Sequence, residues 1–298
     1  MATSEGDIFL IEAVQRGDQD AWREVIGRYE GRLVSFARRM LAQRSEAEDL
    51  VQETFLGLMR SLPNYDKKRS LETYLFAILR HKLSDHYRKQ KTGRRQSLDA
   101  LDIDESPEAW LSSETPSGHV ADAENIAAQR QALVDCLRTY VEQCREQGRF
   151  QELMVVEMLV VLGMRNKEVA EDLDMTETAV AGVKFRVLER WRQLTQHADT
   201  LHEWREADLA STSTVAKIWR EEGVSCPKRS TLGRYLLGAL DDEWQSYVEF
   251  HADVGACDRC LANLDDLRNE EQEEEDARAK LRDRCFASSV GFLSRRPE

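Results

Sequence analysis

Apolar residues return every three or four positions along most of the chain, the period of helices that bury one face. Ile8, Phe9, Ile11 and Val14 mark a first helix. Ala21, Trp22, Val25, Ile26 and Tyr29, running on into Leu33, Phe36, Ala37 and Met40, mark a second, and Gly17-Asp18 breaks the two apart. Ser45 with Glu48 three residues on reads as a capping box, opening a helix through Leu50, Val51, Phe55, Leu58 and Met59 that stops at Pro63. Pro63-Asn64-Tyr65-Asp66 is a turn signal and Lys67-Lys68-Arg69 a basic loop. Ser70, with Thr73 three residues on, opens a further helix through Tyr74, Leu75, Ile78, Leu79, Leu83 and Tyr87. The pattern predicts a four-helix domain over residues 1–91.

Residues 129–198 predict a second helical unit. It has a long amphipathic helix from Leu133 to Gln147, an apolar helix from Leu153 to Leu162, and a helix-turn-helix. In the last, Lys167 to Leu173 forms the first helix, Asp174-Met175-Thr176 the turn and Glu177 to Leu194 the second helix. Val169, Ala170 and Leu173 would pack on Val180, Val183 and Val187. A third unit is expected over 199–298, closed by an acidic helix at Glu270 to Asp276. With 5 Pro and 15 Gly in 298 residues, the whole reads as all-α.

Charge changes this picture by being uneven. The net charge of −13 looks wrong for a nucleic-acid binder. Divided along the chain, residues 1–95 total about +4, 96–128 about −8, 129–198 about −1 and 199–298 about −8. Residues 78–95 hold seven Lys or Arg against the single Asp85, so a basic surface survives. Residues 96–128 carry eight acidic residues, two Pro and no Lys or Arg, a composition that cannot bury enough apolar surface to order itself. Residues 92–128 therefore read as a flexible acidic linker. No apolar run approaches the roughly 20 residues a membrane span needs, and MATSEGDIFLIEAV has no export pattern. A cytoplasmic protein without a membrane partner is expected.

The run Ala-Glu-Asp-Leu-Val-Gln-Glu-Thr-Phe-Leu-Gly-Leu-Met-Arg at 47–60 resembles the polymerase-binding helix of sigma factors. Gly17-Asp18 and Ala21-Trp22 precede it at the family's spacing. Leu71 to Gln90 resembles the helix that melts the promoter and reads it upstream of the start. The resemblance, to the extracytoplasmic-function (ECF) class, covers roughly residues 10–91. It implies a sigma region 2 domain in which Glu48, Asp49, Leu50, Gln52, Glu53 and Leu56 dock on the clamp helices of core RNA polymerase. The loop at 64–70 and the helix at 71–90 would hold the non-template strand of the −10 element. Single-strand binding needs cations along the phosphates and aromatic faces for unstacked bases. Lys67, Lys68, Arg69, Arg80, Lys82, Arg88 and Lys89 supply the first, with Tyr65, Tyr74, His81 and Tyr87 as candidates for the second.

In the same family the helix-turn-helix unit is region 4, which reads the −35 element as duplex. The second helix of such a pair enters the major groove by its first turns. Thr176, Thr178, Lys184 and Arg186 are the candidate contacts, with Arg190 and Arg192 nearer the backbone. Ala179, Ala181 and Gly182 stand where relatives carry more polar side chains, which shifts weight from base reading to phosphate positioning.

Six cysteines in a cytosolic chain are not a disulfide scaffold. Cys136, Cys144 and Cys285 read as ordinary thiols. Cys226, a small Gly-containing helix (Tyr235 to Leu240), His251 and then Cys257-Asp-Arg-Cys260 resemble the zinc-binding anti-sigma fold. There the His-to-Cys gap is usually three residues; here five intervene, Ala252 to Ala256, with Gly255 to accommodate the extra two. The resemblance implies one structural zinc ion held by Cys226, His251, Cys257 and Cys260. Four N/S ligands make a closed tetrahedral site whose binding energy becomes folding energy. A metal-free site and a thiol redox switch are the other readings. A zinc deaminase would need H-x-E and P-C-x-x-C; this chain has His251-Ala252-Asp253 and Ala256 instead, and Cys226 closes the shell, so no enzyme is expected.

The sequence therefore predicts a non-enzymatic sigma factor that binds core RNA polymerase and promoter DNA to initiate transcription. Its C-terminal domain would regulate it in cis by covering a DNA- or polymerase-binding face, and a separate signalling or anti-sigma protein is a candidate partner. The alternative is a stand-alone helix-turn-helix regulator with a zinc or redox sensor, which leaves the helices at 46–60 and 71–90 unexplained.

Overall fold

The computed structural model describes residues 5–67, 69–93, 120–196, 203–269 and 275–292. They contain thirteen α-helices and no strand, and they gather into two compact units. The all-α expectation holds. The first unit joins described residues of 1–113 to those of 262–298, and the second comprises described residues of 114–261.

The first unit holds α1 (Glu5–Gln15), α2 (Gln19–Met40), α3 (Arg44–Ser61), α4 (Leu71–Gly93), the later part of α12 (Asp258–Asn269) and α13 (Glu275–Ser289). Gly17 takes a left-handed φ of 88°, and the Asp18 carboxylate caps α2 by accepting from the amides of Asp20 and Ala21. At α4 the Ser70 hydroxyl accepts the Thr73 amide at 3.2 Å, as expected. The capping box at Ser45 does not form: α3 begins at Arg44, with Gln43 at the cap position and no side-chain cap. Glu48 is drawn away by the Arg44 guanidinium, 2.8 Å distant one turn back. Trp22 meets Phe55 edge-on at 5.9 Å and Phe36 meets Phe76 at 5.1 Å in a core that includes Ile26, Leu33, Val51, Leu58, Leu71 and Leu79. Leu281 and Cys285 of α13 belong to that same core.

The second unit holds α5 (Val120–Glu146), α6 (Phe150–Val160), α7 (Asn166–Asp172), α8 (Glu177–Thr195), α9 (Thr214–Glu222), α10 (Arg229–Leu236), α11 (Asp242–Glu249) and the start of α12. Its centre is Trp191, ringed by Tyr140 at 5.8 Å, Trp204 at 4.8 Å and Trp219 at 6.4 Å.

The expected boundaries shift here. Residues 199–298 are not a separate third unit. Trp204, Val215, Ile218, Trp219, Tyr247 and Phe250 bury into the same apolar cluster as the helix-turn-helix, whereas Ala262, Leu281 and Cys285 bury into that of the first unit. Helix α5 begins at Val120, inside the stretch read as linker; residues 94–119 and Glu270 to Glu274 lie outside the described residues.

Candidate functional site

Helix α3 buries Val51, Thr54, Phe55 and Leu58, which turns Asp49 and Glu53 outward and leaves Glu48, Gln52 and Leu56 half-buried. Leu50 packs in the core and is only 7% exposed. Glu53 pairs with Lys82 of α4 at 3.2 Å. Glu48 and Asp49 share a partner that the sequence did not announce. Arg284 of α13 donates to Glu48 Oε2 at 3.1 Å and to Asp49 Oδ1 at 2.8 Å. Around that clamp, Arg282 donates to the buried Glu30, Arg23 stacks 4.0 Å over the Phe286 ring, and the Trp22 indole donates to Ser289. Helix α13 thus lies on α2 and α3, seated on the surface read as polymerase-binding.

On α4 and its preceding loop, Tyr65 is a correction. It is buried, its ring sits 5.1 Å from that of Tyr74, and its hydroxyl donates to the Arg69 carbonyl, so it shapes the loop from within. Tyr74 is half-buried, and Tyr87 donates to the Met40 carbonyl. Lys67 pairs with Glu12 at 2.6 Å, which holds that carboxyl below its usual range. His81 lies 3.5 Å and Arg88 2.6 Å from Asp85, and Arg80 lies 5.7 Å from the Phe36 ring. Exposed pairs of this kind are weak and screened by salt. Lys68 and the side chain of Lys89 lie outside the described residues.

The helix-turn-helix is built as its sequence predicts. Asp174 takes a left-handed φ of 49° in the turn, and Thr176 Oγ1 caps α8 by accepting the Ala179 amide at 3.1 Å. Thr178 and Arg186 are exposed, Arg186 lying 3.6 Å from Glu152. Arg190 donates to Gln143 at 2.9 Å and Arg192 to the Trp204 carbonyl at 2.9 Å. Lys184 departs from expectation. It is largely buried, bonded to Glu206 and 3.5 Å from Asn166, because the stretch after α8 folds back beside it. Phe185, 68% exposed, projects from the same helix.

Cys226, His251, Cys257 and Cys260 converge. Their ligand atoms all lie within 4.8 Å of one another, and the sulfurs of Cys226 and Cys257 are 3.6 Å apart. That is far longer than a disulfide and close to the edge of about 3.8 Å in a tetrahedron with 2.3 Å metal–sulfur bonds. Gly223, left-handed at φ 55°, ends α9 and turns the chain toward Cys226. His251 lies in a π-helical turn, Phe250–Val254, that continues α11 and absorbs part of the five-residue gap. Gly255 itself has an ordinary φ of −67°. Its role is space, since a Cβ there would stand 2.7 Å from the His251 carbonyl, and Ala256 takes the left-handed φ of 44°. Cys257 and Cys260 open α12, where helix N-termini favour thiolates. Hydrogen bonds from Cys226 and Cys260 hold the Cys257 thiol well below its usual range, and Cys260 is correspondingly raised. His251 Nδ1 is 2.7 Å from the Glu157 carboxylate, while its buried Nε2 has no hydrogen-bond partner. Burial opposes charging the imidazole, yet Glu157 and the thiolate raise its pKa well above the ordinary value. Three sulfurs and an orphaned imidazole nitrogen fit a soft, tetrahedral metal ion, and the cluster could hold one.

Residues 25–92 match the Sigma-70 region 2 family. The chain is 33% identical over 81 residues to the ECF RNA polymerase sigma factor SigW of Bacillus subtilis, which covers 27% of this chain and 43% of SigW. It is 31% identical over 86 residues to the RNA polymerase sigma-H factor of Pseudomonas aeruginosa, covering 29% of this chain and 45% of that protein. The chain therefore aligns with less than half the length of either. SigX of Bacillus subtilis, also an ECF RNA polymerase sigma factor, aligns at 26% identity over 181 residues, 59% of this chain and 82% of SigX. No solved structure matches the chain. No helix among the described residues is long and apolar enough to cross a membrane.

Proposed function

The chain carries a sigma-70 region 2 domain related to those of ECF sigma factors, and on that premise we propose that it binds core RNA polymerase and directs it to promoters. The observation that carries the reading is the likeness to SigX, which extends far beyond region 2, taken with a helix-turn-helix whose α8 leaves Thr178 and Arg186 open. In this reading α3 docks on the polymerase, α4 and its loop hold the melted −10 strand, and α8 lies in the −35 major groove. The surface ion pairs on α4 then exchange carboxylates for phosphates.

Regulation in cis is the second element. Helix α13 occupies the exposed side of α3 and engages Glu48 and Asp49, two of the residues assigned to polymerase docking. Docked α13 blocks polymerase, and its release exposes the face. The C-terminal stretch also contains the zinc site. When bound, a structural zinc ion ties Cys226 after α9 to His251 after α11 and to the first turn of α12.

The test is purified full-length protein titrated with core polymerase, comparing wild type with R282A/R284A. Tighter binding by the variant supports both elements. Equal binding overturns the regulation alone. No polymerase association by either protein, with tight duplex binding by the free chain, overturns the sigma reading in favour of a stand-alone regulator. Deleting residues 200–298 outright is a poorer experiment, because it removes Trp204, Trp219 and Tyr247 from the core that supports the helix-turn-helix.

A further inference from the structure

Helix α6 reads Phe-Gln-Glu-Leu-Met-Val-Val-Glu-Met-Leu-Val, and Glu157 stands in its apolar stretch, 2% exposed. A carboxylate so placed is unfavourable unless both oxygens are bonded. Both are. Oε1 accepts the Tyr247 hydroxyl at 2.6 Å, and Oε2 lies 2.7 Å from His251 Nδ1. The Tyr247 oxygen is also 2.8 Å from the carbonyl of Ser225, the residue before Cys226. Arg145 of α5 donates to that same carbonyl at 2.8 Å, and its guanidinium lies 5.5 Å from the Trp244 ring. Two of the limbs that deliver metal ligands, one ending at Cys226 and one at His251, are therefore anchored on α5 and α6. Those helices also pack the helix-turn-helix.

A histidine that binds metal through one ring nitrogen commonly gives its other N–H to a carboxylate, which fixes the tautomer and ring plane and strengthens the donor. His251 has this arrangement: Nδ1 on Glu157, Nε2 buried without a partner beside three sulfurs. We infer that Glu157 is the positioning residue of the metal centre, so that zinc occupancy and the packing of α6 under the helix-turn-helix are thermodynamically linked. The inference rests on the zinc reading above. Linkage is reciprocal: zinc holds α6 in place through His251 and Glu157, and a well-packed α6 holds the site ready for zinc.

The experiment measures zinc affinity of the full-length chain by competition with a chromophoric chelator, in wild type, E157Q, H251C and H251C/E157Q. It is paired with amide exchange of residues 150–160 in wild type before and after zinc is stripped. Wild type is expected to bind one zinc, with E157Q weaker by roughly 10- to 100-fold. In the H251C background E157Q should cost far less, because the imidazole that Glu157 orients is gone and only its bond to Tyr247 remains. Stripping zinc should speed exchange along α6. A wild type that takes up no zinc overturns the site and this inference together. Zinc uptake with equal affinity in E157Q, or an equal loss in both backgrounds, overturns the positioning role alone, and unchanged exchange along α6 overturns the linkage.

Discussion

The indole nitrogen of Trp22 donates to Ser289 Oγ at 2.6 Å, and both residues are fully buried although 267 positions separate them. Ser289 in turn donates to the Cys285 carbonyl one turn back, so the end of α13 is fixed into the core of α2 and α3. S289A leaves the Trp22 N–H buried and unmet, a loss of about 1–3 kcal/mol. The urea midpoint of the first unit's unfolding should fall accordingly. A midpoint unmoved by S289A would show that α13 is not seated there in solution.

Cys285 offers a direct report on the same helix. Its thiol is pushed up to about 12 by burial and by Glu30 and Glu48, against the counter-effect of Arg284. An undocked cysteine ionises near 8.5, so between those values docked α13 keeps a proton that released α13 gives up. Its contribution to docking is complete below about pH 8.5 and declines as pH rises toward 12. Alkylation of Cys285 by iodoacetamide should be slow at pH 7, quicken in R282A/R284A, and rise more steeply above pH 9 than thiolate fraction alone explains. Alkylation at the rate of a free thiol at pH 7 contradicts the docked position.

Gly31 of α2 lies against Asp266 of α12, and a Cβ at that position would stand 1.8 Å from Asp266 Oδ1. Arg39 and Asp265 pair at 3.3 Å on the same two helices, and Asn263 donates to Glu72 at 3.1 Å. G31A must push the short Asp266 side chain aside at an overpacking cost of about 1–3 kcal/mol. The thermal midpoint should drop, and G31A/D266A should restore most of it; a neutral G31A refutes the close approach.

Lys184 is paired with Glu206, whose carboxyl it holds below the ordinary range. A lowered carboxyl pKa means the contact is complete above the usual carboxylate range and lost as pH falls through the depressed value. E206Q weakens it at neutral pH. Under the promoter-binding reading, duplex affinity should rise and the salt dependence should steepen by about one unit of log–log slope. Unchanged affinity and slope in fluorescence anisotropy would leave Lys184 a purely structural residue.

Much of this architecture was legible in the sequence, for identifiable reasons. Helices α1 to α4 and the α7–α8 pair follow from local periodicity, and Ser70, Asp18 and Thr176 cap where their hydroxyl or carboxylate can reach the next amides. The Cys and His quartet was readable because ligand chemistry constrains residue type as well as spacing. Docking of α13 was not readable. Its buried contribution is Leu281, Cys285 and Ser289, too sparse for a periodic signal, and its partners lie more than 200 residues away, which periodicity cannot link. Tyr65 looked available because turn residues are usually exposed, yet Tyr74 one helix turn into α4 covers its ring. Glu157 carries a legible signal: an acid flanked by Val155, Val156, Met158 and Leu159 requires a buried partner.

Under the cis-regulation reading, carrying α13 on the same chain as the surface it covers has a consequence for dosage. A separate inhibitor must be made in proportion to its target and is diluted as cells grow. A tethered one is present at one copy per site at every expression level, at an effective concentration set by the connection and independent of expression. Weak individual bonds, such as the half-exposed Arg284 pairs, therefore suffice to keep the face covered. In that reading a competitor must overcome local concentration, so opening would depend on the strength of the competing contact and not on how much protein is present.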